Sequence, residues 1–219
     1  MKNNIVNYES PKYNIILPPH VYNKIVSEIR GEILDIGTGD GYKLKKLLES
    51  VPRNFIKKVV IIEPTQLFYI AMERIKNLKI PVEGYNMTFE ESYEKYIKEN
   101  RYDVILAFEV LEHMDNPEKN VELISTLLKD KGTFICSTPN KWIFRITQYL
   151  IGEGPDPDHI SEMTYKHFTN IIKKNFDKAE FIGVLPLMSI ARKFPPIFKI
   201  IELINFLPLS RTIYCISKK

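Results

Sequence analysis

The stretch Glu32-Ile33-Leu34-Asp35-Ile36-Gly37-Thr38-Gly39-Asp40-Gly41-Tyr42 decides the fold of this chain. An apolar strand runs into three glycines spaced two apart, and a helical pattern follows at Leu44, Leu47 and Leu48. Such a turn brings bare backbone N–H groups and a helix N-terminus against a nucleotide-like ligand, an approach that side chains would block. The spacing separates two ligand classes. In the dinucleotide fingerprint two residues lie between the second and third glycines, and a pyrophosphate rests on the helix dipole. Here one residue separates Gly39 from Gly41, and the carboxylates of Asp35 and Asp40 would repel a pyrophosphate. They would attract a cationic head.

On either side of this turn, apolar runs alternate with amphipathic stretches, the pattern of βα units building a parallel sheet. Val21, Ile25 and Ile29 mark a helix that Pro18 and Pro19 start and Gly31 stops. Strands are expected at 32–36, 58–63, 80–85, 102–108, 133–137, 181–184 and 212–217. Helices are expected at 66–75, 90–99, from Asn116 to just before Gly132, and at 164–175. Asn116-Pro117-Glu118 is a strong helix start, with Asn as N-cap and Pro at the first helical position. The helix it starts would carry Val121, Ile124, Leu127 and Leu128 inward. After Pro139 the character changes: residues 141–151 are rich in aromatics, 152–158 form a loop of Gly, Pro and Asp, and 185–209 are irregular and apolar.

With 219 residues, 44% apolar and 26% charged, the chain suits one α/β domain over 1–219 and is too short for two of ordinary size. A net charge of +4 without a long Lys/Arg run gives no nucleic-acid tail, so nucleic acid is not the expected partner. Cys136 and Cys215 lie in apolar strand-like runs, which favours buried free thiols over a disulfide and a cytoplasmic setting. No continuous apolar segment follows Lys2, so no export signal is expected.

In an open parallel sheet, ligands bind at the C-terminal strand ends beside the switch in strand order. Four strand ends carry suitable residues. The first offers Asp35, Gly37, Thr38, Gly39, Asp40 and Gly41 to the ammonium and sulfonium end of S-adenosylmethionine, the cofactor expected here with S-adenosylhomocysteine as product. The second offers Glu63, with Pro64 beside it, 22 positions beyond Gly41. A carboxylate about 20 residues on can accept hydrogen bonds from both ribose hydroxyls. The third offers Asn86, Met87 and Thr88 to the adenine ring. The fourth ends in Phe108-Glu109, with Phe108 beside the cofactor, followed by Glu112-His113.

At this point the chain resembles the class I S-adenosylmethionine-dependent methyltransferases, and in particular the subgroup containing the ubiquinone-pathway O-methyltransferases. The resemblance spans roughly residues 30 to 185. It rests on LDIGTGDG, the acid of IIEP, YDVILAFEVLEHMDNPE, the LLKDKG helix end and FICSTPN, in that order. It implies an α/β fold with a Rossmann-like seven-stranded, mostly parallel sheet, helices on both faces and an antiparallel last strand. It also implies that Gly37, Gly39, Glu63, Asn86 and Phe108 line the cofactor pocket.

Methyl transfer from a sulfonium is an in-line displacement that positioning alone can speed, since orientation is worth roughly 7–11 kcal/mol. A base is therefore optional, and His113 is the candidate, because an imidazole changes charge near neutral pH. The competing reading has Glu112 and His113 simply tying down the turn. Glu109, Glu112 and His113 also have the i, i+3, i+4 spacing of one helical side, with Asp158-His159 as a further source, a set that suits a divalent metal. That set resembles the metal site of the small-RNA 3′-terminal 2′-O-methyltransferases. No metal ligand is assigned from sequence.

Acceptor contacts are expected from 140–165 and 185–210, as substrate-side insertions or a lid, together with residues 1–20. Their aromatics suit a small or lipid-like acceptor or a homodimer contact. The segment 185–209 is too interrupted by charge to span a bilayer, but it has the pattern of a helix lying on a membrane surface. Three further readings stand beside O-methylation of such an acceptor. They are a metal-dependent RNA 2′-O-methyltransferase, a cofactor-binding regulatory protein without catalysis, and an NAD-dependent oxidoreductase, which the glycine spacing disfavours.

Overall fold

The computed structural model describes residues 19–150, 152, 154–184 and 207–219. In chain order, α1 (Pro19–Glu28) leads into β1 (Gly31–Ile36), α2 (Tyr42–Glu49), β2 (Ile56–Ile62), α3 (Leu67–Lys76) and β3 (Val82–Tyr85). The short α4 (Phe89–Ser92) runs on into a wider turn over Tyr93–Ile97, before β4 (Tyr102–Phe108), α5 (Pro117–Thr126) and β5 (Leu128–Pro139). Then come α6 (Lys141–Leu150), α7 (Tyr165–Asn175), β6 (Lys178–Val184) and β7 (Thr212–Lys218). The seven strands form one sheet in the order β3-β2-β1-β4-β5-β7-β6. All pairings are parallel except those of β7, which runs antiparallel to both β5 and β6. The antiparallel last strand is as the resemblance implies.

Strand alternation divides the core between the two faces of the sheet. Ile33, Val59, Ile61, Val104 and Leu106 pack with α1, α2 and α3 residues such as Ile25, Leu44 and Ala71. Leu34, Val60, Ile105, Phe134 and Cys136 pack with Val121 and Ile124 of α5 and Phe168 and Ile172 of α7. Chain direction reverses its sideways progress at β1, with β2 on one side and β4 on the other, so a crevice opens between the C-terminal ends of β1 and β4. Asp35 and Phe108 stand at that crevice on the α1–α3 face.

Boundaries differ from the sequence reading in places with a physical cause. The fifth strand is longer at both ends than 133–137, because Leu128 leaves the helix to pair with Tyr102 and Thr138 and Pro139 pair with Ile213 and Thr212 of β7. Thus α5 ends at Thr126, and Leu128 is a strand residue. Residues 141–150 are helical, with a one-sided apolar face at Trp142, Ile146, Tyr149 and Leu150, all exposed. Both cysteines are free and buried, and they lie opposite each other in the β5–β7 ladder. The expected acceptor or membrane contacts of 1–18 and 185–206 lie outside the described residues. Among the described residues, no helix is long and apolar enough to cross a membrane.

Candidate active site

The glycine turn is built by close approach. Gly37, Gly39 and Gly41 all have φ between +60° and +76°, a conformation that costs L side chains roughly 1–2 kcal/mol. Gly37 and Thr38 both donate to the Ile62 carbonyl, at 2.9 and 3.1 Å. A Cβ on Gly41 would come within 3.0 Å of the Ala71 backbone, so its absence lets α2 seat against α3. A Cβ on Gly39 would meet nothing within 4 Å. The backbone there faces a cradle that a side chain would fill.

Glu63 closes one side of this cradle. Its Oε2 accepts from the Gly39 N–H at 2.8 Å, and its Oε1 accepts from the Thr65 N–H and hydroxyl at 3.0 and 2.6 Å. Glu63 is only 5% exposed, and three fixed donors orient its carboxylate. Asn86 donates to the Glu63 and Thr65 carbonyls at 2.8 and 2.9 Å, so it pins the β2–α3 turn. Met87 is half-buried and Pro64 exposed. Thr88 is engaged as the N-cap of α4 in a capping box with Glu91.

The two aspartates of the glycine turn have different environments. Asp35 is buried, and dehydration pushes its carboxyl up to about 7 against the pull of Thr38 and Lys43. Asp40 pairs with Arg74 at 2.5 Å and accepts from the Tyr42 N–H at 3.0 Å. Asp40 therefore fixes the turn into α2, whose N-cap is Gly41, and ties it to α3, and Asp35 is the aspartate left for a cation.

The β4 end supplies the third wall. Phe108 is 9% exposed, and the Lys43 ammonium lies 5.0 Å from its ring centroid. Glu109 has φ +54°, a left-handed conformation that costs a non-glycine residue about 1–3 kcal/mol and persists only when neighbours enforce it. The enforcing neighbour is Ser137, which accepts from the Glu109 N–H at 3.1 Å and donates to its Oε1 at 2.7 Å.

Beyond Glu109, a short helical turn over Leu111–His113 turns Glu112 inward and His113 outward. Glu112 is fully buried: its Oε2 accepts from Thr138 at 3.0 Å, and its Oε1 has no partner among the described residues. Dehydration, then the Glu109 charge, raises its pKa well above the carboxylate range. His113 Nδ1 lies 2.8 Å from the Asp158 carbonyl. A carbonyl only accepts, so Nδ1 carries the proton, and a neutral ring leaves its lone pair on Nε2. The His159 ring packs edge-on to His113 with centroids 4.8 Å apart. Burial, then His113, pushes the His159 pKa down, and its buried Nδ1 has no hydrogen-bond partner among the described residues. One ligand atom each from Glu112, His113 and His159 lies within 4.8 Å of the others. Glu109, expected in that set, is held by Ser137, and Asp158 gives its carbonyl.

Sequence reasoning missed Lys43, Ser137, Thr138 and Arg74. Lys43 carried no signal, because Lys45 and Lys46 beside it are ordinary surface lysines paired with Glu49. The others lie far from their partners in sequence.

Comparison with known proteins gives one answer. A family profile described as "Methyltransferase domain" matches residues 18–176. The ubiquinone biosynthesis O-methyltransferase of Photorhabdus laumondii subsp. laumondii is 28% identical over 168 residues, covering 74% of this chain and 63% of that protein. The chain thus spans less than two thirds of that relative's length. Among solved structures, the small RNA methyltransferase HEN1 superposes with a TM-score of 0.65 at 19% identity, over 91% of this chain and 24% of that one. The plantazolicin methyltransferase BamL, solved in complex with a triazolic desmethylPZN analog and SAH, gives 0.59 at 15% identity, over 90% and 80%.

Proposed function

Because the chain belongs to the methyltransferase domain family, as a class I S-adenosylmethionine-dependent member, we propose that it transfers a methyl group to the oxygen of a small or lipid-like acceptor. One observation carries the cofactor half of this reading: Gly39 and Glu63 face the same cradle, joined by the 2.8 Å bond from N–H to Oε2. The bare glycine admits the nucleoside, and Glu63 accepts from its ribose hydroxyls. Asp35 receives the ammonium. Phe108 lies along the methionine end, with Glu109 beside it.

For the acceptor half, the support is the proton-handling pair at His113. The Asp158 carbonyl fixes the tautomer that leaves His113 Nε2 free to take the acceptor hydroxyl's proton as the methyl group leaves sulfur. The exposed apolar face of α6, with Trp142 and Tyr149, suits an aromatic or aliphatic acceptor. The imidazole supports a hydroxyl acceptor, and the apolar face supports an apolar one over a charged polymer.

Calorimetric titration with S-adenosylhomocysteine tests the cofactor half, with Glu63→Gln as the control. The wild type should bind in the micromolar range. Glu63→Gln loses a charged acceptor for two hydroxyls, each worth about 1.5–3 kcal/mol, so affinity should fall at least about 100-fold, with the variant's fold checked by circular dichroism. Equal binding by both would overturn the assignment of Glu63.

A metal-assisted version of the same transfer is favoured by two buried atoms without a hydrogen bond among the described residues, Glu112 Oε1 and His159 Nδ1, the latter with only the Glu162 carboxylate 3.8 Å away. Glu112, His113 and His159 offer one carboxylate and two imidazoles, a donor set that fits a divalent first-row cation. Bound there, such an ion would lower the pKa of an acceptor hydroxyl. Manganese at about 100 times its Kd should stabilise the wild type by about 2.7 kcal/mol and His159→Ala by none, read as a thermal shift reversed by chelation. Identical shifts would exclude this site.

A further inference from the structure

Lys43 is the second residue of α2, directly after the glycine turn, and its side chain turns inward where Lys45 and Lys46 turn out to Glu49. Its ammonium lies over the Phe108 ring in the field of Glu109, Asp35 and Glu112. No hydrogen bond or ion pair to it occurs among the described residues. Lys43 is half-buried, and partial burial of its ammonium without an oxygen partner is costly and pushes its pKa down. A ligand that brings the missing oxygen offsets that cost.

Among the described residues, the glycine-turn cradle therefore sets the ammonium of Lys43 among the acids Asp35, Glu109 and Glu112. A purely cationic ligand would be served by the acids alone and repelled by Lys43. A zwitterion would satisfy both signs, with its ammonium toward Asp35 and its carboxylate toward Lys43, which stands at the positive end of the α2 dipole. The geometry points to Lys43 as a specificity residue that donates to the α-carboxylate of the methyl donor, so that the site selects the zwitterionic amino acid end. This inference rests on the cofactor reading above.

The experiment is calorimetry on the full chain with three probes. S-adenosylhomocysteine carries the zwitterion, its decarboxylated counterpart carries the amine alone, and 5′-methylthioadenosine carries neither. Wild type should prefer S-adenosylhomocysteine over the decarboxylated amine by about 10- to 100-fold, the scale of one charge-assisted bond. Lys43→Leu should erase that preference by weakening only S-adenosylhomocysteine, leave methylthioadenosine within about twofold, and be rescued by Lys43→Arg. If Lys43 merely offset the surrounding acids, its loss would favour the decarboxylated amine and leave S-adenosylhomocysteine unweakened, which would overturn the proposal. A wild type that binds the zwitterion and the amine equally would overturn it without any variant. A wild type that binds methylthioadenosine but not S-adenosylhomocysteine would overturn it while leaving the nucleoside cradle standing. Binding of none of the three would overturn the cofactor reading itself.

Discussion

Asp35→Asn should make the ligand-free protein more stable at pH 8 and a poorer binder of its cofactor. The Asp35 carboxyl titrates near 7 in the fold, pushed there by burial, against about 3.9 in an unfolded chain. A carboxyl whose folded pKa is raised binds its proton more tightly when folded, so stability falls as pH rises between the two values. The penalty is absent below about pH 4, grows between pH 4 and 7, and is complete above 7. A gap of about 3 units at 1.36 kcal/mol each sets its ceiling near 4 kcal/mol. The asparagine side chain is neutral throughout, so the variant's advantage in urea unfolding should be near zero at pH 4 and largest at pH 8. A pH-independent difference would show that Asp35 is not the group whose charge burial penalises. Binding should move the other way. The ligand's ammonium needs the ionised carboxyl, so wild-type affinity for S-adenosylhomocysteine should rise through pH 7. The Asp35→Asn variant should lose about 10- to 100-fold at pH 8 and show a flatter profile.

That a single buried acid both weakens the fold and serves the ligand explains which parts of the chain sequence could reveal. The glycine turn was legible because its requirement is backbone geometry, and only glycine takes φ near +60° to +76° three times in five residues without strain. The sheet was legible because its strands are buried on both faces and read as nearly continuous apolar runs. The difference between Asp35 and Asp40 was not legible. Both are aspartates beside glycines, and what separates them is Arg74, 34 positions away from Asp40. His113 and His159 were grouped in sequence only as sources for a metal, and it is the fold that sets their rings edge to edge. The helix at 141–150 hid for another reason: its apolar stripe stays exposed, so no buried partner made the periodicity look like a core face. Long-range pairing and solvation decide these cases, and neither is written locally.

Gly37→Ala and Gly39→Ala, two positions apart, should fail in opposite ways. Both have left-handed backbones, so each Ala carries about 1–2 kcal/mol of strain. At Gly37 the new Cβ would also lie 2.4 Å from Val110 Cγ2 and 2.9 Å from Val110 Cβ. Overpacking of this kind adds about 1–3 kcal/mol, which brings Gly37→Ala to about 2–5 kcal/mol of lost stability. Val110 is packed against the core between Glu109 and Leu111, where β4 has just ended, so it has little room to retreat. Trimming it to Ala in the same chain removes Cγ2, the nearer of the two clashing atoms. The double variant should regain most of the clash cost and keep the backbone strain, a coupling that a double-mutant cycle by urea unfolding measures directly. Additive losses would place the whole defect in the backbone. At Gly39 nothing lies within 4 Å, so stability should fall only by the strain. There the methyl group would occupy the cradle beside Glu63, and affinity for S-adenosylhomocysteine should drop at least as far as in Glu63→Gln. A Gly39→Ala variant that binds normally would move the nucleoside away from this turn, while a Gly37→Ala variant that binds normally once folded is the expected result. The first glycine lets the chain close behind the site, and the second leaves the site open in front.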